Sequence, residues 1–279
     1  MGTIANGDLN NTAAERVRTE IARDPKYDNL SFAISSSQDD PQIRKTYRPF
    51  LLEDAYSSHD WVSQLELNTV LKMVDIQVLK SGGERLKILV LHGSMRKRRI
   101  LFRLGCDVRM YDPTGLPELR ELSKWSDGHV WISPEQHGNL TAVFKNQIDW
   151  VPLSTGSARP TQGRTLAIAQ VSGGSQSFNT VNSLRVLGRW MRMFTIPNQS
   201  SIPKAYTQFT EEEVGSRLMP SGNRDRLVDC MEGFVKYTII MRPHFNLFGD
   251  RFSEREEKRA KNEIVRLSKL ENGTPTNNM

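Results

Sequence analysis

A chain of 279 residues with 37% hydrophobic content can bury a sizeable core, and its length favours one domain of about 150 to 200 residues with extensions. No run approaches the roughly 18 apolar residues of a membrane span, and the first residues, MGTIANGDLNN, do not resemble a signal peptide. We therefore expect a cytoplasmic protein. The net charge of +6 is spread along the chain without a nucleic-acid-binding motif, so we expect no nucleic acid partner.

The two cysteines, Cys106 and Cys230, are too far apart in sequence to form a local metal clip, and a disulfide is not expected in the cytoplasm. Free cysteine is among the most buried residue types. The sequence therefore predicts two thiols that face the core, and no metal site.

Residues 1–82 are predicted to form an N-terminal extension. The first 40 or so are rich in Asn, Ser, Asp and Gly, a composition typical of disorder or of a segment that orders only against a partner. From Tyr47 to Leu79 the apolar content is too high for a free tail. This arm must pack on its own domain or on a neighbouring subunit, and we expect the subunit. The turn KSGGE, Lys80 to Glu84, separates it from the core.

Residues 83–245 alternate short apolar runs with helical patterns. Several runs are apolar on both faces, as buried parallel strands are. Helical periodicity follows at residues 140–151, 184–194 and 225–241. The alternation predicts an α/β domain with a doubly wound parallel sheet of five strands, and residues 246–279 are predicted to be a charged helical tail. The predicted strands are Lys87 to Leu91, Val108 to Tyr111, His129 to Ser133, Thr165 to Val171 and Met193 to Ile196.

Three unusual loops follow the first, third and fourth strands: HGSMRKR, SPEQHGNL and SGGSQSFN. Ligands of doubly wound sheets bind outside the carboxyl ends of the strands, at the switch point of the strand order. The positions of the three loops therefore predict the order 2-1-3-4-5.

The first loop has the chemistry of an anion site. A strand-loop-helix junction offers free N–H groups, and Ser94, Arg96 and Arg98 add a hydroxyl and two guanidiniums. Neither GxxxxGK[ST] nor GxGxxG is present, so this loop is not of the nucleoside-triphosphatase or Rossmann dinucleotide kind. An exposed basic loop is the alternative.

The other two loops suit the remaining walls of a crevice. Pro134 is rigid, and Gly138 permits a close approach of the backbone to a flat ligand. SGGSQSF adds two glycines and several hydroxyls, with Phe178 as apolar cover. Ordinary turns use the same residues, so it is the joint placement of the loops at successive strand ends that indicates a site.

Four segments together resemble the ArsH family, NADPH-dependent FMN reductases of the flavodoxin-like superfamily that are associated with arsenical resistance. The resemblance covers roughly Glu84 to Glu257, and the arm before it is similar to the N-terminal extension of eukaryotic members. It implies a flavodoxin-like fold and a homotetramer. The segments are GSMRKR, HVWISPEQHGNLTAVFKNQIDWVPLS, RPTQGRTLAIAQVSGGSQSFN and LRVLGRWMRMFTIPNQSS.

The resemblance also implies the roles of the loops. Ser94, Arg96 and Arg98 would hold the FMN phosphate, and His137 would either donate a proton near the flavin ring or orient its loop. The other expected contacts line the isoalloxazine on its two sides. They are Ser133, Pro134, Glu135, Gln136, His137 and Gly138 on one side, and Ser172, Gly173, Gly174 and Ser175 on the other.

The implied reaction passes hydride from NADPH through FMN to O2, a quinone or a similar acceptor. In the family it is linked to the oxidation of trivalent organoarsenicals. Two distant cysteines cannot form a dithiol or trithiol arsenic trap, so any arsenical chemistry would run through the flavin.

One departure from the family concerns the first loop. The family continues as Arg-Ser-x-Ser into a full helix, whereas Arg98 is followed by Arg99 and ILFRLGCDV. About eight residues remain after the loop, or about 12 Å of helix, against a return path of about 17 Å along a five-residue strand. We expect weakened FMN binding, or a flavodoxin-like scaffold that has lost FMN. An altered transcript or gene model is a third reading of this sequence.

Overall fold

The computed structural model describes residues 24–27, 37, 39–47, 61–94, 106–110, 116–151, 160–211, 217–249 and 251–272. Within these ranges, every helix is too short or too polar to cross a membrane. Arg96 and Arg98 lie outside the described residues, as do most of the first 60 residues.

The centre of the fold is a parallel sheet. Its main path runs in the order β2-β1-β3-β5-β6, and every neighbouring pair along it is parallel. This confirms the predicted α/β class, and the path has the predicted order of five parallel strands. The strands of the whole sheet are β1 Leu86–His92, β2 Cys106–Met110, β3 Gly128–Gln136, β4 Asn139–Leu140, β5 Thr165–Val171, β6 Phe194–Thr195 and β7 Ser200–Ile202.

The expected count of five strands is wrong, because the sheet has two further short strands. β4 pairs antiparallel with the end of β3. β6 pairs with the start of β5, and β7 pairs with its end. Both short strands therefore lie on the same side of β5. Pro197 lies between β6 and β7, and a proline has no N–H to donate to a strand ladder. Of the predicted edge strand, Met193 to Ile196, Phe194 and Thr195 form β6, and β7 lies beyond the predicted range.

Helices cover both faces of this sheet. Ile88 and Val90 of β1 pack on one side, and Leu89 and Leu91 pack on the other. Burial on both faces explains why the strands read as continuous apolar runs. The described helices are α1 Pro41–Tyr47, α2 Asn68–Val74, α3 Leu116–Trp125, α4 Ala142–Asp149, α5 Asn179–Trp190, α6 Gly222–Met241 and α7 Phe252–Asn272, with 3-10 or π turns at Pro25–Tyr27, Trp61–Gln64, Asp75–Leu79, Ala205–Thr207 and Arg242–Gly249.

The helical pattern predicted to continue to residue 194 ends earlier. Arg192 adopts a left-handed conformation with φ of 59°. The N–H of Met193 donates to the Gly188 carbonyl at 2.9 Å, and the N–H of Arg192 donates to the Arg189 carbonyl at 3.0 Å. These two bonds form a Schellman motif, which stops α5 and turns the chain into β6.

The arm packs on its own domain. Val70, Leu71, Val74 and Val78 are buried in one cluster with Ile88 and with apolar side chains of α6. The expectation that the arm buries its apolar residues against another subunit is therefore wrong for residues 61–79. α6 leaves part of this sheet face uncovered, and α2 with the following turn completes the layer.

Polar contacts fix the arm as well. Tyr27 Oη donates to Asp75 Oδ2 at 2.7 Å, and Lys80 Nζ lies 3.0 Å from the same oxygen. These partners lower the pKa of the Asp75 carboxyl. These contacts lie within the N-terminal extension, and they join Tyr27 and the turn after Leu79 to the same carboxylate.

The C-terminal elements agree with their predictions in the part that the structure describes. α6 contains the predicted segment 225–241 and starts at Gly222, where Ser221 Oγ accepts from the Arg224 N–H at 3.2 Å as an N-cap. Cys230 is fully buried, and burial raises the pKa of its thiol to about 12. The helical tail is α7, whose described side chains are mostly exposed.

His129 is a buried, neutral histidine near the start of β3. Trp131 Nε1 donates to His129 Nδ1 at 3.2 Å, so the proton of the neutral ring is on Nε2. Burial and the nearby Arg164 guanidinium lower the pKa of His129 to about 3. An unfolded chain would protonate this ring near pH 6.5, whereas the folded chain keeps it neutral down to about pH 3.

We expect this histidine to make the fold sensitive to acid. Its contribution to stability is complete above about pH 6.5 and falls, by about 1.4 kcal/mol per pH unit, as the pH decreases toward 3. H129Q keeps an acceptor for Trp131 but cannot titrate. Urea unfolding of the wild type and of H129Q should be measured at several pH values. As the pH falls from about 6.5 toward 3, the free energy of unfolding of the wild type should decrease relative to that of H129Q by this slope. Parallel pH curves would show that His129 is not the cause.

Candidate functional site

The three loops meet at the carboxyl edge of the sheet. β1, β3 and β5 are neighbours in the sheet, so the loops that follow them lie side by side. These loops begin at Gly93, at the hairpin after Gln136 and at Ser172. The predicted placement of the three loops at one edge of the sheet is therefore confirmed for their described residues, and the crevice between them stays a prediction.

The first loop begins on a fixed frame. The Gly93 N–H donates to the Ile132 carbonyl at 2.9 Å, and Thr141 Oγ1 donates to the Gly93 carbonyl at 2.8 Å. Gln147 Nε2 donates to the His92 carbonyl at 2.8 Å. β3 and both ends of α4 thus hold the backbone that leads into Ser94. Sequence reasoning missed Thr141 and Gln147, although Thr141 occupies a typical N-cap position.

Close packing at Gly93 explains the glycine. A Cβ there would overlap Thr141 Oγ1 and would lie 2.8 Å from both Phe144 Cβ and Ser133 Oγ. Ser133 is fully buried, and its hydroxyl donates to the Pro134 carbonyl at 3.0 Å and accepts from the Thr141 N–H at 3.2 Å. These bonds use the Ser133 hydroxyl to support the loops from inside the protein.

The second loop is a tight hairpin. Gln136 pairs with Asn139, which leaves His137 and Gly138 as its two-residue turn. Their φ angles are 52° and 73°, and positive values at both positions are typical of a type I′ turn. The turn itself therefore accounts for the glycine, and the predicted close approach of Gly138 to a flat ligand stays a prediction. The exposed His137 stands at the hairpin tip.

Glu135 takes part in a network of side chains between the second and third loops. Its Oε2 accepts from Gln170 Nε2 at 2.9 Å and from Ser177 Oγ at 2.7 Å. Sequence reasoning missed Gln170 and Ser177. A signal was present, because Gln170 is a lone amide in the apolar run TLAIAQV, and a buried amide requires partners.

The third loop is open toward solvent. Gly173, Gly174 and Ser175 are exposed, and a Cβ added at either glycine would meet nothing within 4 Å. Ser172 is buried, and its hydroxyl donates to the Ser175 carbonyl at 3.5 Å. This loop therefore leaves backbone groups and a hydroxyl accessible at the edge of the sheet.

The third loop is held by backbone hydrogen bonds to the end of β7 and to the segment that follows it. The Ser172 N–H donates to the Ile202 carbonyl at 2.9 Å, the Lys204 N–H to the Gly174 carbonyl at 2.9 Å, and the Ala205 N–H to the Ser172 carbonyl at 2.8 Å. Lys204 has a left-handed φ of 44° and is exposed beside the loop. Because the strand is interrupted between β6 and β7, β7 lies beside the start of this loop and hydrogen-bonds to it.

Comparisons with known proteins give a consistent result. The family model described as NADPH-dependent FMN reductase matches residues 100–207. A protein named NADPH-dependent FMN reductase ArsH from Rhizobium meliloti (strain 1021) is 52% identical over 200 residues, which is 63% of this chain and 82% of that protein.

Two further relatives carry the same name. The one from Acidithiobacillus ferrooxidans is 45% identical over 232 residues, or 74% of this chain and 96% of the relative. The one from Shigella flexneri is 50% identical over 195 residues, or 61% of this chain and 75% of the relative. The similarity thus spans most of each relative, and the family model includes the second and third loops.

Proposed function

The chain belongs to the NADPH-dependent FMN reductase ArsH family, and from this premise we propose that it oxidises NADPH through FMN held at the carboxyl edge of its sheet. When bound, FMN supplies the two-electron chemistry, and the protein supplies binding, orientation and electrostatics. The proposed electron acceptors are O2 and quinones. A trivalent organoarsenical is proposed as a further substrate, which loses two electrons to the H2O2 that forms when O2 takes the two electrons of NADPH. We further propose that the enzyme works in the cytoplasm as a homotetramer.

The residues at the edge of the sheet fit an elongated, flat cofactor. Gly173 and Gly174 leave open space, and Ser94 and Ser175 carry hydroxyls on opposite sides of the hairpin. The Glu135 carboxylate is turned into the protein by Gln170, so that this loop presents less negative charge to a phosphate. The observation that carries the proposal is the convergence of three anchored loops on one crevice.

Each loop has a separate task in this proposal. Ser94, Arg96 and Arg98 would hold the phosphate, because hydroxyls and guanidiniums match its oxygens. The loops at residues 134–138 and 172–175 would confine the ring between them and exclude water. Hydride transfer from NADPH to a flavin requires no acid or base from a protein side chain. The proposed role of His137 is therefore limited to donating a proton near the flavin ring or orienting its hairpin.

A steady-state assay with different acceptors tests the proposed reaction. The purified protein with FMN should oxidise NADPH faster when O2 is present or, under low oxygen, when a quinone is added. A trivalent organoarsenical should be oxidised only when O2 is present, and this is followed directly by separating the trivalent and pentavalent forms. NADPH oxidation that neither O2 nor a quinone accelerates would contradict the proposed acceptors, and the absence of the pentavalent product in the presence of O2 would contradict the proposed oxidation of the arsenical.

A second candidate function is a scaffold that does not hold FMN. The observation that favours it is the first crossover: β1 ends at His92 and its parallel neighbour β2 starts at Cys106, which leaves residues 93 to 105, or 13 in all. A crossover of a dozen or more residues can join parallel strands, so the connection is close to the minimum. A purified protein that stays colourless when FMN is added would favour the scaffold.

A further inference from the structure

We propose that Glu135 is a positioning residue that clamps the hairpin after β3 to the loop after β5, and that it sets FMN affinity through Ser177 instead of contacting the cofactor. This inference rests on the proposed function, because it assumes that FMN lies between these two loops. It assigns a role to two residues, Gln170 and Ser177, that have no direct part in the proposed chemistry.

The orientation of Gln170 is unambiguous. Its Oε1 accepts from the Val181 N–H at 2.8 Å, and a backbone N–H can only donate. The Nε2 atom must therefore point the other way, where it donates to Glu135 Oε2 and to the Ser177 carbonyl, each at 2.9 Å. Since Gln170 is fully buried, loss of either partner would leave a buried donor without a bond.

Ser177 receives bonds from several elements. Its hydroxyl donates to Glu135 Oε2 at 2.7 Å and accepts from the Asn179 N–H at 3.3 Å. Its carbonyl accepts from Gln170 Nε2 and, at 2.7 Å, from Ser201 Oγ of β7. The end of the third loop is thus fixed to β5, β7 and the start of α5. Among the side-chain hydrogen bonds of the described residues, it is the bond to Glu135 that joins this loop end to the hairpin.

The position of this link gives it leverage over the crevice. Pairing between β3 and β5 ends at Pro134 and Val171. Beyond that point, no β-ladder hydrogen bond joins the two segments that follow these strands in the described residues. Glu135 is the next residue, and its carboxylate spans the gap. Hydrogen bonds to a charged acceptor are stronger than those between neutral groups, which suits a link that must hold two loops at a fixed distance.

The alternative is that Glu135 contacts FMN directly. One oxygen, Oε2, accepts both Gln170 and Ser177, which turns the carboxylate toward the α5 side of the sheet. If Glu135 contacted the cofactor itself, removal of the Ser177 hydroxyl would leave FMN binding unchanged. If Glu135 acts as a clamp, the effects of removing Glu135 and the Ser177 hydroxyl overlap.

A double-mutant cycle on the full chain separates these cases. FMN is titrated into apoprotein of the wild type, E135A, S177A and E135A/S177A, and the dissociation constant is read from the quenching of flavin fluorescence. We expect each single variant to weaken FMN binding by roughly tenfold, which is the loss of one hydrogen bond at 1.4 kcal/mol per decade. The FMN dissociation constant of the double variant should exceed that of E135A by at most about threefold.

Three further variants make the test specific. S177T keeps the hydroxyl and should restore affinity to within about threefold of the wild type, and E135Q keeps an acceptor oxygen and should lie within the same range. E84A removes an exposed carboxylate at the amino edge of the sheet, where Glu84 pairs with Lys87, and should leave FMN binding unchanged. Urea unfolding of each apoprotein shows which variants are folded.

The outcomes are decisive in either direction. Effects of E135A and S177A that multiply, or an S177A variant that binds FMN like the wild type, would overturn the clamp. If E135A does not fold, the contrast between S177A and S177T decides, and equal binding by these two would overturn it. A wild type that does not bind FMN would refute the proposed function instead of the clamp.

Discussion

Replacement of Gly93 by alanine is expected to lower the free energy of unfolding by about 1 to 3 kcal/mol, the usual cost of overpacking a close contact, and to abolish FMN binding. The added methyl group would overlap Thr141 Oγ1 and crowd Phe144 and Ser133 from 2.8 Å. Thr141, Phe144 and Ser133 surround the backbone at the start of the first loop. The added methyl group can therefore be accommodated only if this part of the loop moves. Urea unfolding of the apoprotein and FMN titration measure the two effects.

G173A is the matched control for G93A. Gly173 lies in the neighbouring loop, its Cβ would meet nothing within 4 Å, and its φ lies outside the left-handed range. The same glycine-to-alanine change should therefore alter the free energy of unfolding by less than about 1 kcal/mol. Equal destabilisation by G93A and G173A would show that the packing at Gly93 does not restrict the first loop.

Removal of both guanidiniums in R96A/R98A is expected to weaken FMN binding by on the order of a hundredfold or more. Each charged hydrogen bond contributes about 1.5 to 3 kcal/mol, and each 1.4 kcal/mol is tenfold in the dissociation constant. Arg96 and Arg98 are two and four residues after Ser94 in the sequence, and the backbone at Gly93 is fixed to β3 and α4. An anchored start reduces the entropy that the loop loses when it closes on a phosphate.

Two controls separate phosphate recognition from net charge. R259A/R266A removes the same charge from the exposed surface of α7 and should leave FMN binding unchanged. Riboflavin has the same ring without the phosphate, so that its weaker binding should be equal in the wild type and in R96A/R98A. A loss of riboflavin binding equal to the loss of FMN binding would contradict the assignment of these arginines to the phosphate.

Strand order and the placement of the three loops at one edge of the sheet could be predicted from the sequence. Ile88, Leu89, Val90 and Leu91 form an apolar run because helices cover both faces of the sheet, and this pattern distinguishes a parallel strand. Once the sheet is parallel, the residues after each strand must lie at one edge. Local pattern was therefore sufficient for the fold class and for the three loops.

The clamp and the packing of the arm could not be predicted in the same way. Gln170 and Glu135 are 35 residues apart in sequence, and neither shows a periodic pattern that indicates the other. The apolar stripe of α2 fits any apolar surface, so the sequence could not distinguish its own α6 from a second subunit. Contacts of this kind depend on tertiary packing, which sequence periodicity does not encode.

The turn at His137 and Gly138 shows a third kind of limit. A glycine is compatible with both a ligand contact and a positive φ, and only the pairing of Gln136 with Asn139 distinguishes these roles. A non-glycine residue seldom adopts a positive φ, and the dipeptide His137-Gly138 is not one of the usual hairpin signals, Asn-Gly or Asp-Gly. The conformation here is set by β3 and β4.

The most direct test of the central claim is an anaerobic spectroscopic titration of the purified protein. FMN is added to the apoprotein until the flavin spectrum shifts to that of the bound form, the excess is removed, and NADPH is then added in steps. We predict that about one FMN per chain stays bound and that one equivalent of NADPH bleaches the oxidised flavin band. A protein that retains no FMN, or bound FMN that NADPH does not bleach, would contradict the assignment of this edge of the sheet as the site of an NADPH-dependent FMN reductase.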